Sequence, residues 1–93
     1  MKFTVLIKVF SENNEGIVYE KEFDKNRIPL IGNHIIEPLF AEPKKVVGIY
    51  QNLNCSKIIV VIEKKKVEDE ALKGHIQEVA KLHNWEVSKS VIM

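Results

Sequence analysis

The uninterrupted run Ile58-Ile59-Val60-Val61-Ile62 is the strongest single constraint on this chain. Ile and Val lose rotamer freedom against a helical turn but pack well on a pleated surface, so the run favours a β-strand. A strand that is apolar at every position has no face to offer water and belongs inside a sheet, covered on both sides. The run is also far too short to cross a bilayer as a helix.

Neighbouring strands are legible on either side of it. Phe3 to Phe10 is rich in β-branched and aromatic residues, with Phe3, Val5, Ile7 and Val9 on one face. Ser11-Glu12-Asn13-Asn14-Glu15-Gly16 reads as a polar turn whose asparagines and glycine suit positive φ. Ile17 to Phe23 alternates again, so the first 23 residues are expected to form a β-hairpin. Lys45 to Tyr50 and Lys57 to Glu63 flank the turn-rich Asn52-Leu53-Asn54-Cys55-Ser56 and predict a second hairpin, closed by Lys64-Lys65-Lys66.

The middle of the chain is less regular. Arg27 to Asn33 reads as a turn around Pro29 and Gly32, His34 to Glu37 as a short strand ended by Pro38, and Leu39 to Pro43 as loop. Val67 to His83 is the one good helix candidate. Leu72, Ile76, Val79 and Ala80 share a face, acids fill the first turn, and Asn84 suits a left-handed stop. Trp85 to Ile92 alternates once more and predicts a last strand, parallel to the Lys57–Glu63 strand through a crossover or antiparallel in the sheet. The expected fold class is α+β. It is a small antiparallel, curved or partly open barrel-like sheet of five to six strands, with one helix at about 67–83 packed on it before the last strand.

Length and charge narrow the function classes. Ninety-three residues, 45% hydrophobic and 29% charged, fit a single globular domain over 1–93 with room for one core and at most a shallow site. The net charge is +1, with basic and acidic residues interspersed, which gives neither the basic stripe of a nucleic-acid binder nor the acidic face of a mimic. Of the 14 basic residues only Arg27 is an arginine. The preference for Lys over Arg, with many Ile and Asn residues, points to an AT-rich genome, that of a low-GC bacterium or its phage. Cys55 is the sole cysteine, so no internal disulfide can form. Met1-Lys2 runs straight into the first strand with no cleavage site, and the expected location is cytoplasmic.

Residues with chemical potential do not assemble into a reaction centre. Gly48-Ile49-Tyr50 matches the first tripeptide of the nucleases named for paired Gly-Ile-Tyr and Tyr-Ile-Gly motifs, but the next strand lacks the second and no arginine follows Arg27. Glu63-Lys64-Lys65 matches half of a magnesium nuclease site, yet the preceding hairpin, Lys45 to Ser56, has no acid to complete it. His75 and His83 are eight apart, outside the spacing of a helical zinc pair, and His34 has no identifiable partner. Cys55 has no histidine near it in sequence. Four isolated glycines cannot cradle a nucleotide. No metal ligands, catalytic residues or cofactors are assigned.

Two surfaces remain. Ile28 to Phe40 is apolar and broken by two prolines, so it forms either an irregular barrel strand with core contacts or an exposed partner-binding patch that includes Ile35, Leu39 and Phe40. Lys44, Lys45, Lys57, Lys64, Lys65 and Lys66 surround one hairpin; they protect strand ends or, on a shared face, hold phosphate or an acidic partner.

Arg27-Ile28-Pro29-Leu30-Ile31-Gly32-Asn33-His34-Ile35, followed by Lys45 to Tyr50 and Ile58 to Glu63, resembles small bacterial and phage β-barrel proteins. In those, a Pro-x-x-Gly-(Asp/Glu)-x-Ile turn feeds a strand and then a Val-rich hairpin. Here Asn33 replaces the acidic residue, and the resemblance covers the middle third of the chain. It implies a fold and no single activity.

The function expected from these readings is that of a non-catalytic accessory protein that binds a protein partner or self-associates. One alternative is nucleic-acid or phosphorylated small-ligand binding through the hairpin lysines; another is a small nuclease or hydrolase whose site is assembled across a dimer.

Overall fold

Phe3, Val5, Ile7 and Val9 lie on one face of β1 (Lys2–Ser11), and Thr4, Leu6, Lys8 and Phe10 on the other. The strand pairs antiparallel with β2 (Asn14–Asp24), placing Phe3 opposite Phe23 and Ile7 opposite Tyr19. In this computed structural model, which describes residues 1–88, the hairpin turn tightens to Glu12-Asn13, and the strands run further into the polar segment than their patterning predicts. Asn13 does not take positive φ. Gly16 does, at +95°, where the register shifts between Val9 and Ser11. A Cβ there would lie 2.4 Å from the Val9 carbonyl oxygen and 2.7 Å from Phe10 Cβ, so the bulge excludes any side chain.

The second hairpin joins β4 (Lys44–Asn52) to β5 (Lys57–Ile62). The Asn52 side chain accepts from the Asn54 N–H at 2.9 Å, an Asx turn, and Ser56 takes φ +57°. β5 then lies beside β1 and parallel to it, with Thr4, Val5 and Leu6 opposite Ile59, Val60 and Val61. The sheet is therefore mixed rather than wholly antiparallel. Lys64-Lys65-Lys66 does not simply end β5. After an interruption at Glu63-Lys64, β6 (Lys65–Lys66) continues alongside Val9 and Phe10 of β1.

The helical segment begins at Asp69, two residues later than its periodicity predicts, and is broken. α1 (Asp69–Lys73) and α2 (His75–Leu82) meet at Gly74, whose φ of −128° and ψ of −79° leave the helical region. The apolar face is the expected one: Leu72, Ile76 and Ala80 are buried and Val79 is half-buried. Asn84 takes the left-handed stop at φ +64°. The last strand, β7 (Glu86–Val87), pairs antiparallel with β2, not with β5, and the Ser88 N–H donates to the Val18 carbonyl. The rest of the predicted strand, from residue 89 to Ile92, lies outside the described residues.

The strand order is β3-β4-β5-β1-β2-β7, with β6 beside β1, where β3 (His34–Ile35) is the short strand of the middle segment. The fold is α+β, a curled half-barrel sheet with one main helix. β7 points the same way as β5, so the helix carries the chain across β1 and β2. Residues 25–43 make the other long connection, from β2 to the far edge. Leu39 and Phe40 in it are 2% and 0% exposed and join the helix in the core over Val5, Ile7, Val46, Val60 and Ile62. The opposite face holds a smaller cluster of strand residues alone, Leu6, Ile59 and Val61 with Val18 against them. The covering expected on both sides of β5 is thus a full layer on one side. On the other it is a curled surface that the Lys57–Glu20 ion pair, at 3.8 Å, spans from β5 to β2.

The Lys21–Glu37 pair is among the polar contacts that fasten residues 25–43 over the sheet. Lys21 Nζ lies 3.0 Å from Glu37 Oε1, 5.2 Å from the centre of the Phe23 ring and 5.9 Å from that of Trp85. Trp85 in turn packs edge-on against Phe23 and Phe40, both at 6.2 Å. The buried indole N–H of Trp85 has no acceptor, a cost offset by this aromatic packing.

Two stability outcomes follow from this packing. Gly16→Ala is expected to cost about 1–3 kcal/mol in urea denaturation, because both φ and the Val9 carbonyl oppose a side chain. Glu37→Ala strands a half-buried ammonium and is expected to cost about 1–3 kcal/mol, while the Lys21→Met, Glu37→Leu double variant recovers most of that loss. Equal stabilities for wild type and Glu37→Ala would show that the pair does not hold the segment.

Candidate functional site

β4 is a strand because Val46, Val47, Ile49 and Tyr50 favour the pleated surface, and its register shifts at Val46/Gly48. Val46 enters the main core and Ile49 packs against it. On the outer side, β3 pairs only with Lys44 and Lys45. The turn before β3 adds two bonds to Val46: Gly32 N–H to its carbonyl at 2.9 Å, and its own N–H to the Asn33 carbonyl at 2.8 Å. Beyond Val46, among the described residues, no strand pairs with the outer edge of β4.

This open stretch, Val47-Gly48-Ile49-Tyr50-Gln51-Asn52, carries no charge. Sheet edges are ordinarily protected by charges, prolines or a covering segment, because unpaired N–H and C=O groups template further pairing. Val47 and Tyr50 are about half exposed, at 51% and 50%. The Tyr50 ring leans back over Gly48, where a Cβ would meet it at 2.8 Å. At one end of the edge stand the exposed Leu30 and Ile31, held in a tight turn by Leu30 N–H to Asn33 Oδ1 at 2.8 Å; at the other end stands Leu53, 86% exposed. Gly32 takes φ +94° in that turn.

The residues singled out in the sequence are dispersed by the fold. Leu39 and Phe40 are core residues with no surface to give a partner, and Ile35 is half-buried against the same core. Exposed apolar surface in the middle segment falls instead on Leu30, Ile31 and Ile36. The six lysines do not form one face. Lys57 starts β5, at the end opposite Lys64, Lys65 and Lys66, and pairs with Glu20. Lys44 and Lys65 both reach Glu42 Oε1 at 3.2 Å; Lys65 also donates to the Phe40 carbonyl at 2.8 Å, and Lys44 to that of Lys64 at 3.2 Å. These two tie residues 40–44 to β6. Lys45, Lys64 and Lys66 remain exposed, and the Lys45 N–H donates to Glu63 Oε2 at 3.1 Å.

Groups with shifted acidity are scattered and have local causes. Lys44 and Lys65 hold the Glu42 carboxyl below its ordinary value. The Ser11 hydroxyl and the Asn13 amide do the same to Asp69, with Asn13 Nδ2 donating to Oδ2 at 3.0 Å. Ser11 Oγ and Asp69 Oδ1 are shut off from solvent without a regularly aligned bond. Burial pushes the Tyr19 phenol up. Among the described residues no group of three or more His, Cys, Asp or Glu side chains is placed to hold a metal ion, and no helix is long and apolar enough to cross a membrane. Gly48-Ile49-Tyr50 lies on the open edge, and Cys55 is exposed in the following turn.

Sequence reasoning missed the Lys21–Glu37 contact, which joins residues sixteen apart with no periodic signal. It also did not single out the β4 edge, although the charge-free stretch after Lys44-Lys45 was a usable sign.

Glu42 has a depressed folded pKa, so its stabilising contribution is complete above its ordinary value and is lost as pH falls through the folded one. Glu42→Gln is therefore expected to lower Tm at pH 7, with the gap to wild type closing at acid pH. A gap that is constant with pH would remove Glu42 as its source. Compared with protein families, with curated proteins and with solved structures, the chain matches none.

Proposed function

We propose that this chain is a non-catalytic accessory protein that works by protein–protein contact, adding a strand from its partner to the open edge of β4. The observation that carries this reading is the pairing-competent, charge-free backbone from Val47 to Asn52, bordered by exposed apolar side chains at both ends. Strand addition draws affinity from main-chain hydrogen bonds and specificity from alternating side chains, which suits a domain too small for a deep pocket. The reading in which the lysines hold phosphate or nucleic acid has less support, since Lys44 and Lys65 are engaged by Glu42 and Lys57 by Glu20. A bacterial or phage origin accords with the Lys-, Ile- and Asn-rich composition, and a reducing cytoplasm with the lone exposed cysteine.

The test is quantitative co-purification with the tagged full chain. It compares wild type with a Val47→Lys, Tyr50→Lys variant shown by circular dichroism to be folded. Partners of the edge should bind the variant about tenfold to a hundredfold more weakly. An identical set of partners recovered at equal yield from both would end the proposal.

A further inference from the structure

We infer that the cleft between the open end of the first hairpin and residues 29–37 binds a small monocarboxylate with an apolar body, of the medium-chain fatty acid or arylalkanoate class. The site is separate from the β4 edge and does not depend on how that edge is used.

The cleft encloses about 290 Å³. The sheet contributes Phe3 and Phe23, paired across β1 and β2, with ring centres 5.7 Å apart and planes inclined by 16°. The crossing segment contributes Pro29, Ile35 and Ile36. That segment is held at both ends. The Lys25 N–H donates to the Met1 carbonyl at 3.0 Å where the chain leaves β2, and Glu37 meets Lys21 at 3.0 Å where it recrosses the sheet. The cleft is thus already formed, and no loop has to be ordered on binding. Ile36 is 69% exposed and Phe23 only half-buried, so an apolar occupant takes further surface of both out of water.

Charge decides the other half of the ligand. No acid occurs from Lys25 to Ile36, and the two acids that flank this stretch each have a cation already. Glu37 has Lys21, and Asp24 has the N-terminal ammonium at 2.9 Å. Lys25 lines the cleft and has no ion-pair partner among the described residues; Arg27, two residues on, has none either. The local field therefore favours an anion, whereas a cationic head would have to displace Lys21 from Glu37. A carboxylate beside the exposed Lys25 keeps part of its hydration, so little desolvation opposes it.

Volume sets the size. Liquid water occupies roughly 30 Å³ per molecule, so the cleft holds about ten heavy atoms, the size of octanoate or 3-phenylpropanoate.

Octanoate titrated into the isotope-labelled full chain and followed by amide NMR should saturate with a Kd of about a millimolar or tighter. The shifts should fall on Phe3, Phe23, Lys25 and residues 30–37. Lys25→Glu should weaken octanoate about fivefold or more, and Ile36→Asp about tenfold or more. Both positions are exposed, and circular dichroism should show both variants folded. Octanol and octylammonium should bind the wild type more weakly than octanoate does, and Lys25→Glu should leave octanol binding unchanged. Absence of saturable shifts, or shifts centred elsewhere on the molecule, overturns the inference. Equal affinity for the three probes overturns it too, as does octanoate binding that either substitution leaves unchanged.

Discussion

The parallel pairing of β1 with β5 is the contact from which the rest of the molecule follows. β1 is held on both sides, by β2 antiparallel and by β5 parallel, and both its faces are buried through Phe3, Val5, Ile7 and Val9 on one and Leu6 on the other. Parallel neighbours cannot be joined by a tight turn. The chain must leave β2, reach the far edge, return through β4 and only then lay β5 beside β1. That requirement produces the long segment at residues 25–43, and the helix is the second long crossing, from β5 over to β7.

Both crossings lie on the same face, and they are secured differently. The helix presents Leu72, Ile76 and Ala80 from a regular stripe. Residues 25–43 have no regular stripe and depend on individual contacts: Leu39 and Phe40 as apolar anchors, Glu37 against Lys21, and Glu42 against Lys44 and Lys65. Lys21, Lys44 and Lys65 are therefore occupied in holding an irregular segment over a sheet. Lys45, Lys64 and Lys66 stay exposed, and Lys57 pairs with Glu20 on the other side of the sheet.

The same arrangement leaves an edge open. β3 is only two residues long because the turn at Gly32-Asn33 brings the chain to β4 late, at Val46, and Pro38 follows soon after. The unpaired backbone here is a by-product of how the crossing is routed, and it falls where neutral, β-favouring residues lie.

The local elements are legible in the chain's own patterning: the first hairpin in its alternating apolar face, the inner strand in Ile58–Ile62, the second hairpin in its polar turn, and the helix stripe with its Asn84 stop. Each is governed by residues close in the chain, so periodicity and turn chemistry suffice. Even there, Gly74, a poor helix former, breaks the helix, and Lys65–Lys66 resume a strand because they find partners beside β1. That β1 runs parallel to β5, that β7 returns to β2, and that Leu39 and Phe40 belong to the core while Leu30 and Ile31 face solvent emerges only in the assembled fold. Those outcomes depend on which distant surfaces bury the most apolar area together and which backbone groups find partners. No short-range pattern encodes either.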